Sequence, residues 1–353
     1  MSARDRSAAS ETSRRPTRRR ALGLLAAAAG LPLLARDDPA AGEASRLRYE
    51  WQGAALGARA RMLLAHPRPE VARRAVALCR AEIARLERAF SLFRPDSELS
   101  CLNRDGRLQA PSQDLRVLLI EAIRFAEISD GAFDVSVQPL WRLYARHFAV
   151  SGHDPRGPSD GEIAAARSLV GYRGIDLDGS RVRLARPGMA LTLNGIAQGY
   201  ITDRVADLLR DLGFGRVLVQ LGETRALEPP TGQDAWRIGI ADPEDPARIV
   251  DRLALRDQAV ATSSGLAARF DPDARHTHIF DPATGLSRPG PRRVTVVARR
   301  AVVADALSTA LAVAPESAGA AILRAAGADW AAVERPDRSR TLLPGREQPG
   351  LEG

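Results

Sequence analysis

The sequence predicts an α+β chain: one large domain of mixed or antiparallel sheets with flanking helices. The order of patterns is the first reason. Helical periodicity comes early, short strand-like runs follow from residue 170, and helical runs return near the end, which is not a regular βαβ alternation. The second is turn chemistry between the strand-like runs, of which Asp178-Gly179 is the clearest instance. The third is a missing signal: no G-x-G-x-x-G opens a helix after a strand, so a Rossmann reading has nothing to stand on.

Taken in order, residues 47–64 alternate enough for an opening strand or hairpin. Val71, Ala75, Leu78, Ile83, Leu86 and Phe90 recur at helical spacing, and Asp114 to Ile128 gives a second such helix. The turn-rich residues 150–161 read as a surface excursion. Ile175–Leu177, Val182–Leu184 and Ala190–Leu193 read as strands, followed by an amphipathic helix from Ile201 to Leu212 that ends at Gly213. Val217–Leu221, Trp236–Ile240, Leu253–Leu255, Ala259–Thr262 and Arg293–Ala298 are further strands. Helices near Ala304–Val313 and Glu316–Ala326 and a strand at Trp330–Val333 complete the pattern. The domain division is therefore 1–35 as a signal, 36–45 as a linker, 46–334 as the globular domain and 335–353 as a loose Pro/Gly/Arg-rich tail.

Composition narrows the function classes. The chain has 353 residues, 45% hydrophobic and 27% charged, ordinary values for a globular core. No apolar run reaches the ~18 residues of a transmembrane helix. All 51 basic residues are Arg, which excludes Schiff-base and other lysine chemistry. Of the net charge of +8, residues 1–20 supply the larger part, with seven Arg against Asp5 and Glu11; the remainder is too mild to argue for nucleic acid. The apolar stretch Ala21 to Ala35 follows directly. Basic and short apolar regions together read as an export signal, and Thr17-Arg18-Arg19-Arg20-Ala21-Leu22-Gly23 looks like a twin-arginine signal. The expectation is a periplasmic protein cleaved between Ala35 and Ala44; the alternative is an uncleaved anchor in the inner membrane. Only Cys79 and Cys101 are present, so a disulfide framework is excluded, and two isolated thiols are favoured over one bridge. No Cys/His cluster has zinc-ligand spacing.

Four segments are too polar and too glycine-punctuated to be mere core. Ser91 to Asn103 (SLFRPDSELSCLN) follows a helix and places Phe93 beside a turn. Asp130 to Trp141 (DGAFDVSVQPLW) offers Gly131 for close backbone approach and Asp134 as an acceptor toward a ligand, or else an ordinary turn into a strand. Leu191 to Asp203 (LTLNGIAQGYITD) breaks from a strand into a helix at Asn194-Gly195, where free N–H groups attract phosphate. The fourth is a pair, His276 to Gly285 (HTHIFDPATG) and Val302 to Thr309 (VVADALST). Asp305 and Thr309 are i and i+4, so their oxygens face one way, a sensible Mg²⁺ site where substrate phosphates supply the other ligands.

Together these segments resemble the ApbE-type FAD:protein FMN transferase family, from about Tyr49 to Val333. S-x-(aromatic)-x-P-x-S-E-(L/V)-S-x-(L/F)-N matches Ser91 to Asn103, D-G-A-(F/M)-D-(V/I)-(S/T)-(V/I)-x-P-L matches Asp130 to Leu140, and N-G-I-A-(K/Q)-G-Y matches Asn194 to Tyr200. Ala261–Gly265, His278–Gly285 and Ala304–Ala310 carry three more family motifs in order. The resemblance implies FAD in a cleft between two lobes. Leu56, Phe93, Ala132, Phe133, Asp134 and Ile279 would line it. Gly195 would offer its carbonyl to Mg²⁺, Asp305, Ser308 and Thr309 would complete the protein side of the metal site, and His278 would be the general base. FMN would pass from FAD to a threonine of an acceptor flavoprotein, releasing AMP.

The chain departs from the pattern at three places. Thr192 stands where members have Asp, Gln198 where a Lys is frequent, and Gly222-Glu223 where the family has Gly-Gly. Thr192 and Gln198 are kept as FAD contacts with altered chemistry. The wording VQLGETRAL and the signal resemble the branch associated with nitrous oxide reductase maturation, which implies a membrane-bound acceptor presenting a threonine in a motif such as D-G/S-A/S-T. Two other readings use the same residues: an FAD pyrophosphatase releasing FMN and AMP, and a non-catalytic periplasmic FAD-binding protein.

Overall fold

The protein is described here by a computed structural model covering residues 34–35, 48–245, 247–287 and 292–346. Residues 1–33, which hold most of the expected signal, and the whole of the expected linker 36–45 lie outside the described residues. In chain order, β1 (Leu34–Ala35) precedes the hairpin β2 (Arg48–Ala55) and β3 (Ala58–Ala65). Leu56 and Gly57 turn that hairpin with φ of 45° and 82°, the positive-φ pair that suits strand twist. Helix α1 (Pro69–Phe90) starts on a proline that needs no N–H partner, with Glu70 in its first turn and Arg88 in its last. Helix α2 (Glu98–Asp105) is capped by Ser97 and stopped by Gly106 at φ 66°. After β4 (Arg107–Gln109), Ser112 caps α3 (Gln113–Ile128). Next come α4 (Gln138–Ala149), α5 (Asp160–Arg167), whose Ser159 and Glu162 form a capping box, and the hairpin β5 (Ile175–Asp178) and β6 (Arg181–Leu184). Helix α6 (Ala197–Asp211) is followed by β7 (Val217–Leu221), β8 (Glu223–Ala226), β9 (Trp236–Ala241), β10 (Ile249–Leu255), β11 (Gln258–Ser263) and β12 (Arg293–Ala298). Helices α7 (Ala301–Leu311) and α8 (Glu316–Ala326) and strands β13 (Trp330–Glu334) and β14 (Arg340–Pro344) close the chain.

The strands build one eight-stranded sheet, in the order β14-β13-β12-β11-β8-β7-β3-β2, and two three-stranded ones, β1-β9-β10 and β4-β6-β5. Among the described residues all the strand pairs are antiparallel. The large sheet is covered on both faces, and strand periodicity divides its side chains. Ala60, Met62, Leu64, Val217, Val219, Leu221, Val294 and Val296 enter the main core with the helices. Their alternates Leu63, Leu218 and Val297 pack with Trp236, Ile238, Leu253 and Leu255 of the small sheet. A third cluster joins Leu140, Leu143 and Tyr144 of α4 to Ile163 and Phe280.

The helix–strand–helix order and most elements agree with the sequence expectations, with four corrections. Ala190–Leu193 is not a strand: both backbone groups of Leu191 bond to the Asn103 side chain, at 2.6 and 2.8 Å, and the Thr192 N–H donates to Val135 O. The residues after Asp134 wind into a short 3-10 turn and α4, with no strand. Helix α1 turns Cys79 inward and leaves Leu78 46% exposed, the reverse of the spacing argument for Leu78. Residues beyond 334 are not all tail, because β14 pairs with β13 at the sheet edge. Both cysteines are free, and burial pushes the Cys79 thiol up to about 12, an inert core sulfur. Among the described residues no helix is long and apolar enough to cross a membrane.

Candidate active site

The bend at Asn194-Gly195 lies mid-chain and helix α7 about a hundred residues later, and contacts at Gly199 and Asp203 bring them together. At Gly199, in the first turn of α6, a β-carbon would stand 2.4 Å from the Ala301 carbonyl oxygen, so only glycine permits this helix crossing. Beside it, the Gly199 N–H donates to Asp305 Oδ2 at 2.9 Å. One turn further on, Asp203 caps α7 from outside: its two oxygens accept from the N–H groups of Ala301 (2.8 Å) and Val302 (3.0 Å). Arg300, the residue in the cap position itself, makes no side-chain cap. Sequence reasoning missed Asp203 because a cap supplied by another element leaves no local signature.

Beside these contacts opens a cleft whose lining includes Asp305. Ala132, Phe133, Asp134, Thr192, Gly195, Gln198, His278, Ile279, Asp305 and Thr309 all line it, as the motif reading expects. Four further lining residues bear on the chemistry: Asn194, Ser263, Thr262 and Glu223. Gly195 lies so close to α7 that a β-carbon there would stand 3.0 Å from Thr309 Oγ1. Ser308 is not on the cleft wall; its hydroxyl pairs with Ser263 Oγ at 2.7 Å and donates to Asp305 O at 2.9 Å.

Two expected contacts fall outside the lining. Leu56 belongs to the β2–β3 turn, where its N–H donates to Glu87 Oε1. Phe93 follows α1 on the surface, 42% exposed. The motif around Phe93 does structural work instead: Ser97 Oγ donates to Ser91 O, Glu98 accepts from Ser112, and Asn103 clamps Leu191. Asp134 reaches the cleft, but its carboxylate is committed inward, with Oδ1 accepting from Ser136 N and Oγ and Oδ2 from Tyr172 N. Three donors occupy most of this carboxylate, and acceptor capacity remains on it toward the cleft. Burial raises its pKa against those hydrogen bonds.

His278 is half-buried, and its Nδ1 lies 2.9 Å from Ala268 O. A carbonyl only accepts, so Nδ1 carries the proton and Nε2 keeps a lone pair. Burial holds this imidazole below its ordinary pKa, so it is neutral and basic at pH 7. Asp305 moves the other way. Burial, against the Gly199 N–H and together with the charge of Asp203, lifts its pKa to about 7. Glu223 lies well above the usual carboxylate range, through burial and then the charge of Asp305, against a hydrogen bond from the Thr262 amide.

The donors grouped on the floor are all oxygens: the Asp305 and Glu223 carboxylates, the Thr309 hydroxyl and the Gly195 backbone. A hard divalent cation with oxygen preference fits this set. Among the described residues no group of three or more His, Cys, Asp or Glu is placed to hold a metal ion, so backbone and hydroxyl oxygens would have to share in the set. Gln198 lies over Gly222, where a β-carbon would stand 2.7 Å from its amide carbon.

Comparison with known proteins agrees with this geometry. The family model described as "ApbE family" matches residues 56–333. A FAD:protein FMN transferase of Vibrio cholerae is 33% identical over 243 residues, covering 67% of this chain and 72% of the relative. Among solved structures, the flavin transferase ApbE from Vibrio cholerae superposes with a TM-score of 0.71 at 27% identity, covering 84% of this chain and 97% of that one. The ApbE protein from Thermotoga maritima gives 0.72 at 29% identity, with coverage of 84% and 97%. A match that spans most of the chain, on a shared fold and with relatives that are enzymes, has one meaning: this chain is a member of the ApbE family.

Proposed function

We propose that this protein transfers FMN from FAD to a threonine hydroxyl of an acceptor flavoprotein and releases AMP, in the periplasm after twin-arginine export. The observation that carries the reading is the meeting of two motifs 106 residues apart in one cleft, through the Gly199–Asp305 hydrogen bond. Asp305, Thr309 and the Gly195 carbonyl would hold Mg²⁺ there, and a divalent cation so placed neutralises charge that builds on phosphate oxygens. The chain's own part is positional and acid–base. The bend at Gly195 admits a diphosphate close to the backbone. His278 Nε2 takes the proton of the threonine hydroxyl as its oxygen bonds to the FMN phosphorus. The bond from that phosphorus to the bridging oxygen breaks, and the AMP phosphate leaves with that oxygen and its electron pair. A base of this kind contributes roughly 10²–10⁴-fold.

The relative's name supports FAD as donor and a protein as acceptor. The signal-like residues 1–35 support export, and the sequence VQLGETRAL supports an acceptor in nitrous oxide respiration. Incubation of the purified protein with FAD, Mg²⁺ and a domain bearing a D-G/S-A/S-T threonine tests the reading. Flavin fluorescence that stays with the acceptor after denaturing electrophoresis is the expected result. Soluble FMN and AMP with an unlabelled acceptor would identify a pyrophosphatase, and intact FAD a binding protein; either result overturns the proposal.

A further inference from the structure

Glu223 stands where the family pattern has glycine, and neither the family resemblance nor the relatives' names give it a role. Strand β8 begins at Glu223, immediately after Gly222 reverses the chain from β7 with φ 95°. Alternation along β8 turns Thr224 and Ala226 one way and Glu223 and Arg225 the other, toward α6 and α7. On a covered face, such a position calls for an apolar side chain. Glu223 is instead a cleft-lining carboxylate, 3% exposed. The Thr262 amide donates to it, yet Oε2 has no hydrogen-bond partner. A buried oxygen of this kind needs an explanation, because desolvation without a partner is costly.

The surroundings supply one. Among the described residues no basic side chain forms an ion pair with Glu223 or Asp305. The charges acting on them are acidic, Asp305 on Glu223 and Asp203 on Asp305. Two carboxylates, a hydroxyl and a backbone carbonyl on one floor, with negative charge uncompensated, make a pocket suited to a hard cation. We propose that Glu223 Oε2 is an additional ligand of the divalent-cation site, which lets this chain bind the cation before FAD arrives. The inference rests on the reading of Asp305 and Thr309 as the cation site. A site with one carboxylate is completed by substrate phosphates; a second carboxylate makes binding independent of them.

The test is Mn²⁺ titration of the FAD-free full chain, followed by electron paramagnetic resonance of the free ion, on wild type, Glu223→Gln, Glu223→Asp and Asp305→Asn. Melting in EDTA checks that each variant is folded. The wild type is expected to bind one Mn²⁺, Glu223→Gln to bind at least tenfold more weakly, and Glu223→Asp to fall between them. If Glu223→Gln does not fold, Glu223→Asp decides, with affinity equal to wild type as the overturning result. A wild type that binds no Mn²⁺ without FAD overturns the inference. So does a Glu223→Gln protein within twofold of wild type while Asp305→Asn has lost binding. If Asp305→Asn itself binds as wild type does, the cation reading of the cleft fails, a result distinct from failure of Glu223 alone.

Discussion

Buried charge is handled in two ways in this molecule. At the start of β12, Arg292 reaches Asp242, Glu244 and Glu334 at 2.5–2.9 Å, and Arg293 reaches Asp251 and Glu334 at 2.6–2.7 Å. Burial would raise Asp242, but the Glu244 amide and the guanidinium groups of Arg248 and Arg292 draw its pKa down to about 2. Under α6 and α7, by contrast, Asp305 and Glu223 have acidic neighbours and raised pKa values. The first region spends its charges on holding three strands and a loop together. The second keeps carboxylates uncompensated, which costs stability and is tolerated where a ligand completes the set. Among the described residues that line the cleft there is no Arg, whereas the β12 region draws on two of them.

The contrast breaks most readily at the cleft. Asp305→Asn is expected to lower FMN transfer by ~10²–10³-fold or more, the scale of losing a preorganised charge stabiliser. His278→Asn should cost roughly 10²–10⁴-fold while FAD binding persists. Both are read from the rate of covalent flavin appearance on the acceptor, with FAD binding followed by flavin fluorescence. At the other region, Arg293→Met removes one partner of a buried network. It is expected to cost about 3–5 kcal/mol in denaturant unfolding and to leave Mn²⁺ affinity of the folded protein unchanged. Asp203→Ala leaves two α7 amides without their acceptor; a loss of about 0.5–2 kcal/mol is expected by the same measurement.

The smallest effect is the pH dependence of cation-free stability. The folded-state pKa of Asp305, about 7, exceeds the ordinary carboxylate value, so folding takes up a proton. Its stabilising contribution is complete below about pH 4 and is lost as pH rises through about 7. In EDTA the wild type should therefore lose melting temperature between pH 5 and 8, by a few degrees more than Asp305→Asn. Equal slopes for the two proteins would remove the electrostatic contrast between the regions.

Much of this was legible in the residues, and the gaps have physical causes. Helices α1, α3 and α8 declare themselves because each buries one stripe. The meeting of the Asn194–Tyr200 bend with the Asp305–Thr309 turn was legible only through the family motifs, since spacing alone cannot tell which distant elements touch. Strand β8 was missed because Glu-Thr-Arg-Ala has no apolar alternation; all four residues are buried, Glu223 and Arg225 on one face. Strand β14 was missed because its Pro- and Arg-rich surroundings read as tail, although an edge strand tolerates that composition. Ala190–Leu193 misled in the opposite direction. Its apolar run is irregular chain, with both backbone groups of Leu191 paired by a side chain 88 residues away and the Thr192 N–H by the Val135 carbonyl.

The glycine crossing between α6 and α7 carries a last consequence. With carbonyl and Cα of one helix seated directly on the other, the pair acts as a single beam with no slack for sliding. The spacing between the Gly195 bend and the Thr309 hydroxyl is thereby set by main chain, not by adaptable side chains. Any adjustment to cargo of different shape must then come from the rim at residues 132–137 and 278–282.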